Sequence, residues 1–274
     1  DDIFANIYME KGEERQAIIW RNFVRRTQPY EVKFKKTLQR LFRGQEREVL
    51  SNMRRNPHPN REASIKQVFT KQNWLSDWLF AEMMWRKRFS NEGKPFIGGV
   101  LEDVGQNELT NLVVGIDFDV SNPEVVAFIN KNADKYSFYV NDATIDHLRK
   151  QLTAGVAAGE SIPELTKRVK NVFGFAEQFR STRIARTEII RASNSGAEAA
   201  YMQSGVVEKK EWLTAFDERT CNIGCKELNG RTARLGKSFG KQGVRADLDY
   251  TDGDLPHPPL HPSCRCTLIA VLIE

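Results

Sequence analysis

The chain has 274 residues, 40% of them hydrophobic, with eighteen glycines and ten prolines, which fits one large domain or two ordinary ones and excludes a disordered chain. No apolar run reaches the length of a bilayer-crossing helix, so a soluble protein without a membrane partner is expected. The net charge of +5 is mild but uneven: Lys33, Lys35, Lys36, Arg40, Arg43, Arg47, Arg54 and Arg55 face only Glu46 and Glu48, an excess that suits nucleic acid or another polyanion, or else a solvated helix face.

The opening DDIFANIYMEKGEER is acidic and polar and does not look like a secretory signal, which predicts synthesis in a reducing compartment. Residues 13 to 26 place Ile18, Ile19, Trp20 and Phe23 near one helical stripe, and Pro29 should interrupt it. A second helix is expected from about Tyr30 to Arg55, with Phe34, Leu38, Leu41, Phe42, Val49, Leu50 and Met53 at helical period and basic residues on the other side. Asn56 to Asn60 should end it as a loop.

Residues 61 to 90 read as a third helix rich in aromatics: Phe69, Trp74, Trp78, Phe80, Trp85 and Phe89. Beside Arg86, Lys87 and Arg88 such rings can stack on bases, but their helical spacing favours a packed core or a subunit interface. Gly93, Pro95, Gly98 and Gly99 should mark a break. The first hundred residues then form a helical, basic region without a catalytic signature.

In the middle third, Ser121-Asn122-Pro123-Glu124 reads as a capping box that opens a helix through Lys131. Tyr136 to Val140 suits a short strand, and Asp142 or Thr144 should cap the next helix, which Gly159 stops. Ser161-Ile162-Pro163-Glu164 is a second capping box, for a helix to about Phe173. His147 lies inside a helix with no reactive partner nearby and reads as an ordinary residue.

A long polar helix follows from about Ala176 to Gln203, closed by Gly205. It carries Arg183, Arg186, Glu188 and Arg191, for which local ion pairs such as Glu188 with Arg191 are the plain expectation. Its small residues, Ala185, Ala192, Ser195, Gly196 and Ala199, allow another backbone to come close. A strand from Glu211 to Phe216 leads into the tail.

All four cysteines stand in that tail: Cys221 and Cys225, then Cys264 and Cys266, with His257 and His261 just ahead of the second pair. Two short cysteine clusters separated by a loop are the sequence form of a structural zinc site. Cys221 and Cys225 would bind from a loop, and two or three of His261, Cys264 and Cys266 would complete the tetrahedron. Successive side chains of an extended Cys-x-Cys point to opposite faces, so one of that pair can face away. Cross-cluster disulfides and unligated buried thiols are the competing readings. The loop at 226 to 263 offers almost no apolar residues, so a metal is expected to hold it. Asp217 and Arg219, which flank the first pair, are expected to make an ion pair or a bond to Arg186 or Glu188, and not to act in catalysis.

An enzyme, such as a zinc-stapled nuclease, would need a general base, for which His257 with Asp252 or Asp254 are the candidates. The surrounding His-Pro-Pro-x-His-Pro is stiff, and no triad order, phosphate loop or His-Glu-x-x-His helix accompanies it. A plain DNA-binding module is the other alternative.

Three blocks, IARTEIIRASNSGAEAAY (184–201), WLTAFDERTCNIGCKELNGR (212–231) and PPLHPSCRCTL (258–268), resemble the phage Mu F-like minor head proteins, also described as phage head morphogenesis proteins. With the preceding GESIPELTKRV helix they span roughly the second half of the chain. One departure is that Cys221 and Cys225 enclose three residues where such proteins usually have two. The resemblance implies an α+β fold, predominantly helical, with a small C-terminal β-rich Cys/His module. The chain is then expected to divide into a helical, basic N-terminal region (1–100), a mainly helical central region of the Mu F-like domain (101–210) and the module (211–274). It implies a structural, non-enzymatic role in the head of a tailed bacteriophage assembled in the host cytoplasm. The expected partners are the portal protein, the capsid interior and, through Lys33, Lys35, Lys36, Arg40, Arg43 and Arg47, phage DNA; no small-molecule substrate is expected.

Overall fold

Helix α1 (Glu13–Arg55) runs without interruption through Pro29. An internal proline loses one hydrogen bond and crowds the preceding turn, at a cost of about 3 kcal/mol. Burial at helical spacing on both sides outweighs it: Phe23 and Thr27 precede the proline, and Phe34, Leu38 and Leu41 follow. The Thr27 hydroxyl donates to the Phe23 carbonyl at 3.0 Å in the turn ahead of the ring. The expected break at Pro29 is therefore absent.

The computed structural model describes residues 13–55, 81–215, 217–222, 224–240 and 254–273. The expected loop at 56 to 60 and the aromatics Phe69, Trp74, Trp78 and Phe80 lie outside the described residues, as does Asp252. Helix α2 (Glu82–Asn111) continues across Gly93, Pro95, Gly98 and Gly99, so the break expected there is also absent. Gly93 and Gly105 serve close approach. A Cβ on Gly93 would lie 2.2 Å from the Tyr136 hydroxyl, and one on Gly105 would lie 2.5 Å from the Phe118 ring.

Helix α3 (Pro123–Ala157) begins where the sequence indicates, with Asn122 accepting the Glu124 N–H at 2.9 Å. It does not stop at Lys131. Tyr136 to Val140 is helix rather than strand, because Tyr136, Val140, Thr144 and Leu148 recur four residues apart and are all buried, while Phe138 and Tyr139 face outward. Period decided over β propensity. Thr144 is an interior residue whose hydroxyl donates to the Val140 carbonyl, and Asp142 is likewise interior, so neither caps a helix. Gly159, at φ +71°, does end the element.

The Ser161–Glu164 capping box is formed and opens α4 (Ile162–Phe175). One turn of π-helix, Ala176–Arg180, leads into α5 (Ser181–Ser204), which Gly205 at φ +68° closes. A three-stranded antiparallel sheet follows, with β1 (Val207–Leu213) central between β2 (Thr232–Arg234) and β3 (Thr267–Leu272). The strand expected at 211 to 216 thus starts earlier. A single turn, α6 (Cys225–Leu228), lies between β1 and β2. The fold is α+β and predominantly helical. Among the described residues no helix is long and apolar enough to cross a membrane.

The chain forms two compact units. One comprises Phe34–Lys94 and Asn130–Thr182. Its centre is aromatic: Phe34 meets Tyr136 edge-on at 5.7 Å between ring centroids, and Phe42 meets Phe89 at 5.5 Å. Trp85 and Phe89 are buried, which fits packing rather than base stacking. The buried Arg180 guanidinium donates to Thr144 and to the Val140 carbonyl.

The other unit comprises Asp1–Lys33, Pro95–Ile129 and Arg183–Glu274. Helices α2 and α5 come close in it, since a Cβ on Gly196 would lie 2.4 Å from the Leu101 carbonyl oxygen. This unit holds the sheet and all four cysteines.

Candidate metal centre

Four segments bring the sulfurs together. The turn after β1 is shaped by Asp217, which accepts the Arg219 N–H at 3.1 Å, and presents Cys221. Gly224, at φ +102°, then swings the chain so that Cys225 starts α6, which accommodates the third intervening residue. The stiff run from Pro256 to Pro262 delivers His261, and Cys264 and Cys266 precede β3.

All four cysteines are unbonded to one another. The donor atoms of Cys221, Cys225 and His261 lie within 4.8 Å of one another, and so do those of Cys225, Cys264 and Cys266. Cys225 belongs to both groups. Its sulfur is 3.2 Å from His261 Nε2 and 3.8 Å from the Cys264 sulfur. A zinc ion with bonds of about 2.3 Å to sulfur sets neighbouring sulfurs roughly 3.8 Å apart in a tetrahedron.

Two details agree with a cation there. His261 Nδ1 bonds to the Pro262 carbonyl at 2.9 Å, which fixes its proton on that nitrogen and leaves the Nε2 lone pair toward Cys225. The Trp212 indole N–H is fully buried and finds no conventional acceptor among the described residues. It bears on Cys266, where S–H donation from Cys225 and the indole favour the thiolate, against burial and the nearby Cys264 charge, which push its pKa up. A metal-bound thiolate would satisfy that N–H; a thiol accepts poorly. Without a cation the three buried thiols resist ionising together: hydrogen bonds from Cys225 and Cys266 pull Cys264 down, and donation to Cys264 pushes Cys225 up. A divalent ion reverses that balance. The donor set fits zinc, which would tie the two cysteine clusters together.

The scaffold around the donors is polar and specific. The Ser263 N–H donates to Thr187 at 3.0 Å, and Asn194 donates to the Cys266 carbonyl at 3.2 Å; both partners lie on α5. Arg265, between the two cysteines, forms a two-pronged pair with Asp217 and holds that carboxylate below its usual pKa. The Trp20 indole donates to the Arg265 carbonyl at 3.0 Å. Of the two arrangements expected, Asp217 makes ion pairs, to Arg265 and to Arg219 at 3.9 Å, rather than a bond to Arg186 or Glu188. Arg186 pairs with Glu31 at 3.2 Å, and Glu188 pairs with Arg191 at 3.4 Å as the helix spacing indicates.

The loop after α6 is better furnished than its composition suggests. Leu228, Leu255 and Leu260 are buried with Trp212, Cys225, Cys264 and Cys266, and Phe239 stands edge-on to Trp212 at 5.3 Å. The expectation that this segment has almost no apolar residues to hold it is corrected: a small apolar cluster packs there.

Sequence reasoning missed Thr187, Asn194, Trp212 and Arg265 as supports. The signal for the first two was available: they are polar and seven residues apart on one helix face, and Asn194 stands between Ser193 and Ser195. Trp20 and Arg265 are 245 residues apart, and no local pattern links them.

Of the basic residues, Lys33, Lys36, Arg40, Arg43 and Arg47 are exposed and Lys35 is half-buried. Lys36, Arg40, Arg43 and Arg47 recur at steps of four, three and four along α1. Arg40 pairs with Glu92 at 2.5 Å and Arg43 with Glu177 at 2.7 Å. His257 is buried, with its pKa lowered to about 4, chiefly by burial, and Asp254 is exposed.

Residues 146–269 match the family described as Phage Mu protein F like protein. That stretch is Mu F-like. It takes in the end of α3, the capping-box helix α4, helix α5, β1, β2, the first half of β3 and every proposed metal donor, and it points to a phage head morphogenesis protein. No curated protein and no solved structure matches the chain.

Proposed function

We propose that the protein is a minor head component of a tailed bacteriophage, with a structural role in assembly beside the portal. The observation that carries this is that the Mu F-like match, 146–269, contains the whole Cys/His cluster together with the helix that supports it. A small module closed by zinc through four of Cys221, Cys225, His261, Cys264 and Cys266 suits a fitting more than a catalyst. The chain is then a virion protein, assembled in the host cytoplasm, whose partners are the portal protein and the capsid interior. The test is to co-express the chain with the portal protein of its phage, and to analyse purified heads by quantitative mass spectrometry. A few copies per head and a complex with the portal are expected. Absence from purified heads contradicts the reading.

Contact with packaged or exiting DNA is part of the same proposal and rests on the exposed stripe of α1. Affinity for duplex DNA should fall with salt by a slope near 0.9 per phosphate contacted. Replacing Lys36 and Arg47, which carry no ion pair among the described residues, by alanine should flatten that slope by about two contacts. No binding at low salt removes nucleic acid from the list of partners.

A further inference from the structure

Helix α1 meets the metal segment at Arg265, the residue between Cys264 and Cys266. The Arg265 guanidinium pairs with Asp217 through both prongs, and Asp217 shapes the turn that presents Cys221, accepting the Arg219 N–H at 3.1 Å and the Thr220 hydroxyl at 3.3 Å. The Arg265 carbonyl accepts the Trp20 indole N–H at 3.0 Å, and the guanidinium lies 5.9 Å from the centre of the Trp20 ring. Arg265 thus joins both cysteine clusters to α1.

Three turns further along α1, Glu31 pairs with Arg186 of α5 at 3.2 Å. Burial pushes the Glu31 pKa up, while the Arg186 and Arg265 charges favour its carboxylate. The Tyr30 hydroxyl donates to the Gly99 carbonyl of α2 at 3.3 Å, an anchor of α1 that does not involve the metal segment. Trp20, by contrast, acts on the backbone of that segment. The peptide that carries the Arg265 carbonyl is planar, so a donor fixed on a helix sets the direction in which the chain enters Cys266. The Cys266 sulfur lies within 4.8 Å of the sulfurs of Cys225 and Cys264. An outer group that orients a ligand-bearing segment raises metal affinity without touching the ion.

We propose that Trp20 is a positioning residue of the metal centre, so that metal loading and the seating of the first turns of α1 on Arg265 strengthen one another. By reciprocity, whatever draws this stretch of α1 away loosens the metal by the same factor with which the metal holds the stretch. The inference rests on the zinc reading of the centre and is independent of the head assignment.

The test is the zinc affinity of the full chain, measured by competition with a chelating indicator. Trp20→Phe keeps an aromatic ring and removes the donor; its zinc affinity should fall about tenfold, with the content at saturation unchanged. Tyr30→Phe, which breaks the bond to Gly99 on the same helix, should bind zinc as the wild type does. In the wild type with isotope-labelled tryptophan, the Trp20 indole proton should exchange with solvent several-fold more slowly with zinc than after chelation. That measurement decides the matter should the Trp20 variant not fold. Melting temperatures lowered alike with and without zinc, at unchanged zinc affinity, mark a merely structural Trp20 and overturn the proposal, as does an equal loss of affinity in the two variants or an exchange rate indifferent to zinc. A chain that binds no zinc overturns it together with the zinc reading.

Discussion

The two compact units reach order by different means. In one, aromatic side chains from distant stretches, Phe34, Phe42, Phe89 and Tyr136, interlock in a core that also shelters the Arg180 guanidinium. In the other, the sheet region has a modest apolar cluster around Trp212, and three of its seven buried members are cysteines. Apolar packing is non-directional and tolerates loss by degrees; a cluster of donors is directional and fails when its shared member is lost. The difference predicts separate modes of failure.

The largest effect should come from Cys225, which belongs to both donor groups. Cys225→Ser should remove bound zinc and unfold the sheet region, where an isolated zinc knuckle gains on the order of 10 kcal/mol from its ion. Metal analysis with near-ultraviolet circular dichroism reads both, and helical far-ultraviolet signal from the aromatic unit should persist. Simultaneous loss of all structure would break the contrast.

Phe89→Ala is the counterpart in the aromatic unit. It should cost about 3–5 kcal/mol in denaturant unfolding while zinc content stays unchanged. A drop in zinc would show that the two modes are coupled.

His257 gives the contrast a pH signature. Its folded pKa of about 4 lies below the ordinary value of 6.5, chiefly through burial, with Arg191 and Lys210 also opposing its charge and Asp254 and the Pro258 carbonyl favouring it. The unfolded chain therefore binds the proton more readily. The resulting stability is whole above about pH 6.5 and is lost as pH falls toward 4, by about 3 kcal/mol. The wild-type loss over this range should exceed that of His257→Gln by that amount, and equal losses contradict it.

The smallest effect tests the helix that carries the metal segment. Thr187→Val keeps the shape but removes the acceptor of the Ser263 N–H, and should cost about 1 kcal/mol in the sheet region alone.

How far the sequence foretold this follows from what each signal measures. The termini of α3, α4 and α5 were legible, because Asn122-Pro123, the Ser161–Glu164 box, Gly159 and Gly205 act within one turn of themselves. The breaks expected at Pro29 and at Gly93 to Gly99 were not there, since burial from distant residues outweighs local propensity; Tyr136, for one, lies where a Gly93 side chain would go. The cysteine spacing announced the donor cluster, whereas the pairing of Asp217 with Arg265 and the contact from Trp20 depend on closure over many residues. The apolar members of the tail, Leu228, Leu255 and Leu260, are too thinly spread for any periodic reading.

The central claim is that sulfurs from two separated clusters grip one ion. X-ray absorption at the zinc K-edge on the purified chain tests it most directly. The account predicts one equivalent of zinc with a sulfur-dominated first shell at about 2.3 Å. A protein that folds fully without metal, or zinc bound through oxygen and nitrogen alone, would contradict it.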